Sequence, residues 1–232
     1  MPLPTVPNFD DGTYYNGIGG SSPTDIWAVG NGNSSDRGPT AIYSTATAAH
    51  WNGAAWTLND PPAPPDMLHF HQLFGVAALP GGSAFAVGNS DAFADNGGDL
   101  IDSYASGAWA YGSGAPFAFT SANPISSMNA VAAVSGSDVW AAGSATDYGN
   151  VYEQWNGVSW TIHKPFGERT AGGKTNAISA LTVVSASNIW AVGTTSWQDP
   201  TLGHQSDSLI EHWNGTRSVS YTHLTLPTTP YV

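Results

Sequence analysis

Short apolar runs alternate with clusters of small polar residues along this chain, and the alternation has a long period. An apolar segment ending in glycine occurs four times: Asp25-Ile26-Trp27-Ala28-Val29-Gly30, Ser83-Ala84-Phe85-Ala86-Val87-Gly88, Asp138-Val139-Trp140-Ala141-Ala142-Gly143 and Asn188-Ile189-Trp190-Ala191-Val192-Gly193. The four glycines fall 50 to 58 residues apart, the spacing of a repeat array. A small apolar run precedes each segment: Tyr15 to Ser21, Leu73 to Leu79, Met128 to Val134 and Ile178 to Val184. Turns rich in Ser, Asp, Asn, Gly and Pro join the two runs, because these residues supply special dihedrals or local hydrogen bonds. Each run is short and β-rich, which predicts a strand.

A third run ends in Trp51-Asn52-Gly53, Trp155-Asn156-Gly157 and Trp213-Asn214-Gly215, with Tyr104-Ala105-Ser106-Gly107 as the degraded copy. Asn-Gly between apolar runs predicts a tight hairpin, leading to a fourth strand that carries Trp56, Trp109 and Trp160. A two-residue turn would set Trp51 and Trp56 as diagonal neighbours. Nine of the ten tryptophans occupy repeated slots, and Trp197 is the exception. A large ring at a fixed place in every unit reads as core packing. The second strand is apolar on both faces (Ile26 and Ala28 against Trp27 and Val29), so it must be covered on both sides. Radial stacking of four-stranded sheets does that. The predicted fold class is therefore all-β: a β-propeller of four-stranded antiparallel blades, with about four blades present as part of a larger propeller.

These motifs resemble the bacterial tryptophan-rich propeller repeat, with its Ser-x-x-Asp-Val-Trp-Ala-Val-Gly core and Glu-His-Trp-Asn-Gly-Thr-x-Trp hairpin. That repeat is similar in style to kelch blades and to the galactose-oxidase central domain. The resemblance covers residues 13–217 and implies a fold rather than an activity, since propellers host lectins, scaffolds and enzymes alike. The expected organisation is a linker or edge at 1–12, then units at about 13–66, 67–121, 122–171 and 172–217. At 218 the repeat calls for Trp, yet the chain reads Ser218-Val219-Ser220-Tyr221-Thr222-His223-Leu224-Thr225-Leu226-Pro227-Thr228. This string resembles a transposase mosaic end and sequencing adapter translated in frame. Residues 218–232 are therefore expected to be a non-native tail, and the native chain to continue beyond it.

Composition narrows the chemistry. There is no cysteine, so disulfides, thiolate metal sites and the Cys–Tyr crosslink of galactose oxidase are excluded. The formal net charge is −12, which disfavours a nucleic-acid partner. No window has transmembrane length. Only 9% of residues are charged, and the Trp-rich, lysine-poor make-up points to an extracellular or cell-surface bacterial protein. Three of the five basic residues, Lys164, Arg169 and Lys174, fall in one loop, either as a solvated segment or as a docking patch for an acidic ligand.

In a propeller, the second-to-third-strand loops and the inter-blade loops share one face. Here those loops are long and variable (31–40, 88–99, 143–150 and 194–208; 57–71, 111–126 and 162–177), which marks the face for binding. Alignment of the units places Asp11, His69, Pro124 and Lys174 at one equivalent position, and Thr13, His71, Ser126 and Asn176 two residues on. Both rings are expected near the channel mouth, with Asp11, His69, His71, Ser126, Lys174 and Asn176 as candidate ligand contacts. Pro124 offers a ligand no polar group. Trp197, beside Gln198, Asp199 and His204, is a candidate sugar-stacking ring or a lid over its own blade edge. His69-x-His71 with Asp11 lacks a fourth metal ligand. Asp91, Asp95 and Asp99, with Asp102, form an acidic loop of hard oxygen ligands for calcium, although the spacing matches no defined calcium loop. His50 and His212 share a slot with Gln154 and Ser103 and read as structural.

Two functions fit this pattern. One is a non-catalytic binding or scaffold module that recognises a glycan or protein through the long-loop face. The alternative is a propeller-type glycoside hydrolase or lyase, which needs carboxylates converging at the channel mouth. Asp10 and Asp11 are the only adjacent pair there, and Arg37, Arg169 and Arg217 are the only arginines for a sialidase-like site.

Overall fold

A computed structural model describes residues 12–34, 43–62, 71–90, 98–112, 125–145, 149–163, 174–216 and 218–221. The first sheet comprises β1 (Thr13–Ser22), β2 (Asp25–Ser34), β3 (Tyr43–Trp51) and β4 (Trp56–Leu58). The second comprises β5 (His71–Leu79), β6 (Ser83–Ser90), β7 (Gly98–Ala105) and β8 (Ala108–Ala110). The third comprises β9 (Ile125–Ser135), β10 (Asp138–Ala145), β11 (Gly149–Trp155) and β12 (Trp160–His163). The fourth comprises β13 (Thr175–Ser185), β14 (Asn188–Asp199), β15 (Gly203–Trp213) and β16 (Ser218–Tyr221). In every sheet the strands are hydrogen-bonded in chain order and antiparallel. Their first strands, β1, β5, β9 and β13, pack one beside the next. This is a β-propeller array of four blades with β1, β5, β9 and β13 innermost.

The core lies between blades. Trp27 and Val29 of blade one meet Leu73, Val76, Ala86 and Leu100 of blade two. Phe85, Val87 and Ile101 of blade two meet Met128, Val139 and Ala141 of blade three. Trp140, Ala142 and Tyr152 of blade three meet Ile178, Ile189, Ala191 and Leu209 of blade four. The same two faces meet each time. The Trp and Val of one Trp-Ala-Val-Gly segment press on the flanking apolar and Ala positions of the next. A strand apolar on both faces is the direct consequence.

The repeated glycine has a separate cause. Each inner strand carries one extra residue opposite it: Asn16, Phe74, Asn129 and Ser179, where the pairing register shifts. A bulge of this kind bends its strand and changes how close the backbones come. A Cβ on Gly30, Gly88, Gly143 or Gly193 would strike the carbonyl oxygen of Tyr14, Gln72, Ser127 or Ala177. The bulged residues also join blades. Asn16 Nδ2 donates to the Leu73 carbonyl, and Asn129 Nδ2 to the Ile178 carbonyl, each at 2.9 Å.

Two expectations need correction. Trp51 pairs directly with Trp56, and Trp155 with Trp160, so the rings are opposed rather than diagonal, with centroids 5.9 and 5.7 Å apart. The Asn-Gly turn is a four-residue loop: Asn52 Oδ1 accepts from Ala54 N and Ala55 N, while Asn52 N donates to the Ala55 carbonyl. Residues 194–208 are not a loop but a ladder running from Thr194–Ser208 out to Asp199–Gly203. Thr194, Thr195 and Trp197 favour the pleated conformation. The Asp199 carboxylate closes the turn by accepting from Thr201 N and Leu202 N. β16 pairs with Ile210 to Trp213 through residues 218–221. Ladder pairing asks only for backbone groups, so a sequence unlike the repeat can fill this slot.

Candidate functional site

The extended hairpin of blade four carries the candidate site. In register, Asn176 pairs with Thr195, Thr195 with Asp207 and Trp197 with Gln205, while Lys174 immediately precedes β13. Alternation along each strand puts Lys174, Asn176, Thr195, Trp197, Gln205 and Asp207 on one face. Lower on that face, Ile178, Ala191 and Leu209 are buried against blade three. The upper part is polar. Lys174 Nζ lies 4.3 Å from the centroid of the half-buried Trp197 ring, a cation–π contact. Lys174 is the only Lys or Arg among the described residues. Thr195 is buried, and neither its Oγ1 nor the enclosed Asn176 Oδ1 has a hydrogen-bond partner among the described residues. Enclosed polar atoms of this kind call for a partner.

The floor beneath this cluster is tied across two blades by hydrogen bonds. Glu211, buried on the same face, accepts from Asn150 Nδ2 at 2.8 Å and from Tyr152 Oη at 2.5 Å across the blade three–four interface. Burial, then the Glu211 charge, raises the Tyr152 phenol pKa far above its ordinary value, so Tyr152 remains a neutral donor. Equivalent positions, two before the hairpin aromatic, hold Asp102 and Glu153, both buried, and Ala49 in blade one. Sequence reasoning missed this recurring acid. Its signal was an acidic residue at the same offset in three of four units.

His71 is not at an open mouth. It is 1% exposed, its Nε2 is 3.4 Å from Asp102 Oδ2, and the Tyr111 ring meets it edge-on. Burial raises the Asp102 pKa, an effect His71 and the Gly112 N–H oppose. His71 and Asn176 both lie within inner strands that continue past the expected position, so strand alternation turns them toward the preceding blade instead of the channel. Lys174, Asn176 and Trp197 come together; His71 stands apart in another interface. Asp11, His69, Asp91 and Asp95 lie outside the described residues, as do Asp10 and Pro124. Ser126 lies within β9, and Asp99 is opposite Asn89 in β7. Among the described residues, no group of three or more His, Cys, Asp or Glu could hold a metal ion. Among them, too, no helix is long and apolar enough to cross a membrane.

A second polar cluster has the residue types of a catalytic triad but not its connections. Ser21 Oγ donates to Asp25 Oδ2 at 2.5 Å, and His50 Nε2 is 2.7 Å from Asp25 Oδ1. The serine meets the carboxylate and not the imidazole, so no base activates it. Trp27 stacks on His50 at 4.3 Å. Blade four repeats the arrangement with Asn188, His212 and Trp190, and blade three with Asp138, Gln154 and Trp140. The cluster ties the first turn to the third strand.

No family model matches the chain, and no curated protein matches it. Solved structures do share the architecture. An ulvan lyase aligns with a TM-score of 0.50 at 9% identity, over 93% of this chain and 57% of its own. A fucose-binding lectin from Aleuria aurantia aligns at 0.45 and 13% identity, over 92% of this chain and 60% of the lectin. A GH32 β-fructofuranosidase from Bombyx mori aligns at 0.47 and 12% identity, over 91% and 50%. The chain thus spans about 60% of the length of the lectin. At these identities the likeness concerns the fold alone.

Proposed function

We propose that this chain is a non-catalytic, extracellular β-propeller module that binds a glycan at the upper face of blade four. The observation that carries the reading is the grouping of Trp197, Lys174, Asn176 and Thr195 on one face. An aromatic ring, an ammonium donor and two polar atoms with no hydrogen-bond partner among the described residues match the alternating apolar and hydroxylated faces of a sugar. The likeness to bacterial tryptophan-rich repeats supports an exported role.

A glycan array probed with the wild-type chain, followed by calorimetric titration of the best binder, tests this reading. Trp197→Ala is expected to weaken binding at least about tenfold, or about 1.4 kcal/mol. Thr195→Val, which keeps shape and removes the hydroxyl, is expected to weaken it less. An array without a binder, or a Trp197→Ala variant with wild-type affinity, would overturn it.

A further inference from the structure

Charge and hydrogen-bond polarity along the upper face of blade four narrow the kind of glycan it takes. Among the described residues, three carboxylates and one cation lie along this face. Asp199 closes the hairpin tip, Asp207 pairs with Thr195, and Glu211 is buried in the interface below. The cation is Lys174, a single ammonium set over the Trp197 ring. Asp207 is half-buried, and its Oδ1 accepts from Ser208 N at 2.8 Å. The enclosed atoms beside it are Asn176 Oδ1, an acceptor, and the Thr195 hydroxyl. The face is thus rich in acceptors and in negative charge. The formal charge of −12 acts in the same direction, repelling a polyanion before contact.

We infer that the glycan is neutral and rich in hydroxyl donors, and that Asp207 is the residue that turns away uronates and sulfated sugars. The inference rests on the reading of this face as a glycan site. A sugar hydroxyl donates to Asn176 Oδ1 or Thr195 Oγ1 while the apolar face of its ring lies on Trp197. A carboxylate or sulfate brings acceptors alone, and it brings them beside a carboxylate of like charge. Lys174 does not reverse the balance, because one compact ammonium stands against three carboxylates. Docking of an acidic ligand on Lys164, Arg169 and Lys174 is the competing outcome. Of those three, only Lys174 lies within the described residues.

A glycan array tests the inference when each uronate or sulfated oligosaccharide is printed beside its carboxyl-reduced or desulfated counterpart. The neutral member of a pair is expected to bind at least about threefold tighter at low salt. The gap should narrow as salt screens the repulsion. Asp207→Asn, which keeps the shape and removes the charge, should narrow the gap at low salt. Asp207→Glu should retain it. Acidic members that bind as tightly as their neutral counterparts would overturn the inference, as would a gap unchanged by Asp207→Asn. Either result leaves the glycan site standing. An array without a binder removes that site, and the inference with it.

Discussion

Adding one methyl group at Gly143 is expected to do more harm than its size suggests. The Asn129 bulge brings the inner strand against β10 there, and a Cβ would lie 2.7 Å from Met128 Cα and closer still to the Ser127 carbonyl oxygen. Carbon atoms pack at about 3.5–4.0 Å, so the inner strand must retreat by roughly 1 Å. It has no room to do so, because Met128 is fully buried in the blade two–three core and Asn129 is anchored to the Ile178 carbonyl. Overpacking of this kind costs about 1–3 kcal/mol. Gly136→Ala is the control: nothing lies within 4 Å of its added Cβ, and the loss of unfolded-state freedom should stabilise by about 0.4–1 kcal/mol. Urea unfolding of both variants should therefore separate them by about 1.5–4 kcal/mol, with unchanged slopes. Equal midpoints would refute the claim that the repeated glycine is a contact requirement.

Tyr152→Phe removes the donor to buried Glu211 and should cost about 1.5–3 kcal/mol, the range for hydrogen bonds to charged groups. A change below about 0.5 kcal/mol would show that the cross-blade bond contributes nothing. His163 supplies a pH test. Burial lowers its pKa from 6.5, so below that value the unfolded chain takes up the proton before the folded one does. Its contribution to stability should therefore fall as pH drops from 6.5 through the lowered folded value, and His163→Gln should remove that fall. Parallel melting-temperature curves for wild type and variant between pH 7.5 and 5 would contradict it.

What was legible in the sequence was whatever depends on near neighbours. Strand pairs, first turns and the two-faced apolar segment follow from residues close in the chain, and the repeat shows them four times over. What was not legible depends on distant partners. The bulges opposite Gly30, Gly88, Gly143 and Gly193 arise from register between strands, so the glycines read as strand ends rather than contact points. The hairpin at 194–208 read as a loop, like the other second-to-third-strand connections, because the sequence between the repeated motifs differs in every unit. Lys174 and Asn176 were legible as candidates, but their partner Thr195 was not, because only β13–β14 pairing brings it to them. His71 read as a ligand because Asp102, which it meets, lies on the third strand of the same blade, far from it in the chain.

Compensation between units separates the scaffold from the candidate site. Trp140 Nε1 donates to Asp138 Oδ1 at 3.0 Å, and Trp190 Nε1 to Asn188 Oδ1 at 2.9 Å. In blade two the turn residue is Ser83, and the ring two residues on is Phe85, which has no N–H to satisfy. In blade one Asp25 is occupied by Ser21 and His50 instead, and Trp27 Nε1 is buried with no hydrogen-bond partner among the described residues. At that position His50 stacks on the indole, as His212 does on Trp190. Each change at the turn is thus answered by a change two residues on or on the third strand, as packing demands and ligand recognition does not. The Lys174–Trp197 pair has no such counterpart among the described residues, where Asn176 Oδ1 and Thr195 Oγ1 beside it also have no hydrogen-bond partner. Enclosed polar atoms without a partner among the described residues also occur in blades one and two, at Thr45 Oγ1 and Asn89 Oδ1, so it is the grouping of ring, ammonium and polar atoms, and not the polar atoms alone, on which the glycan proposal rests.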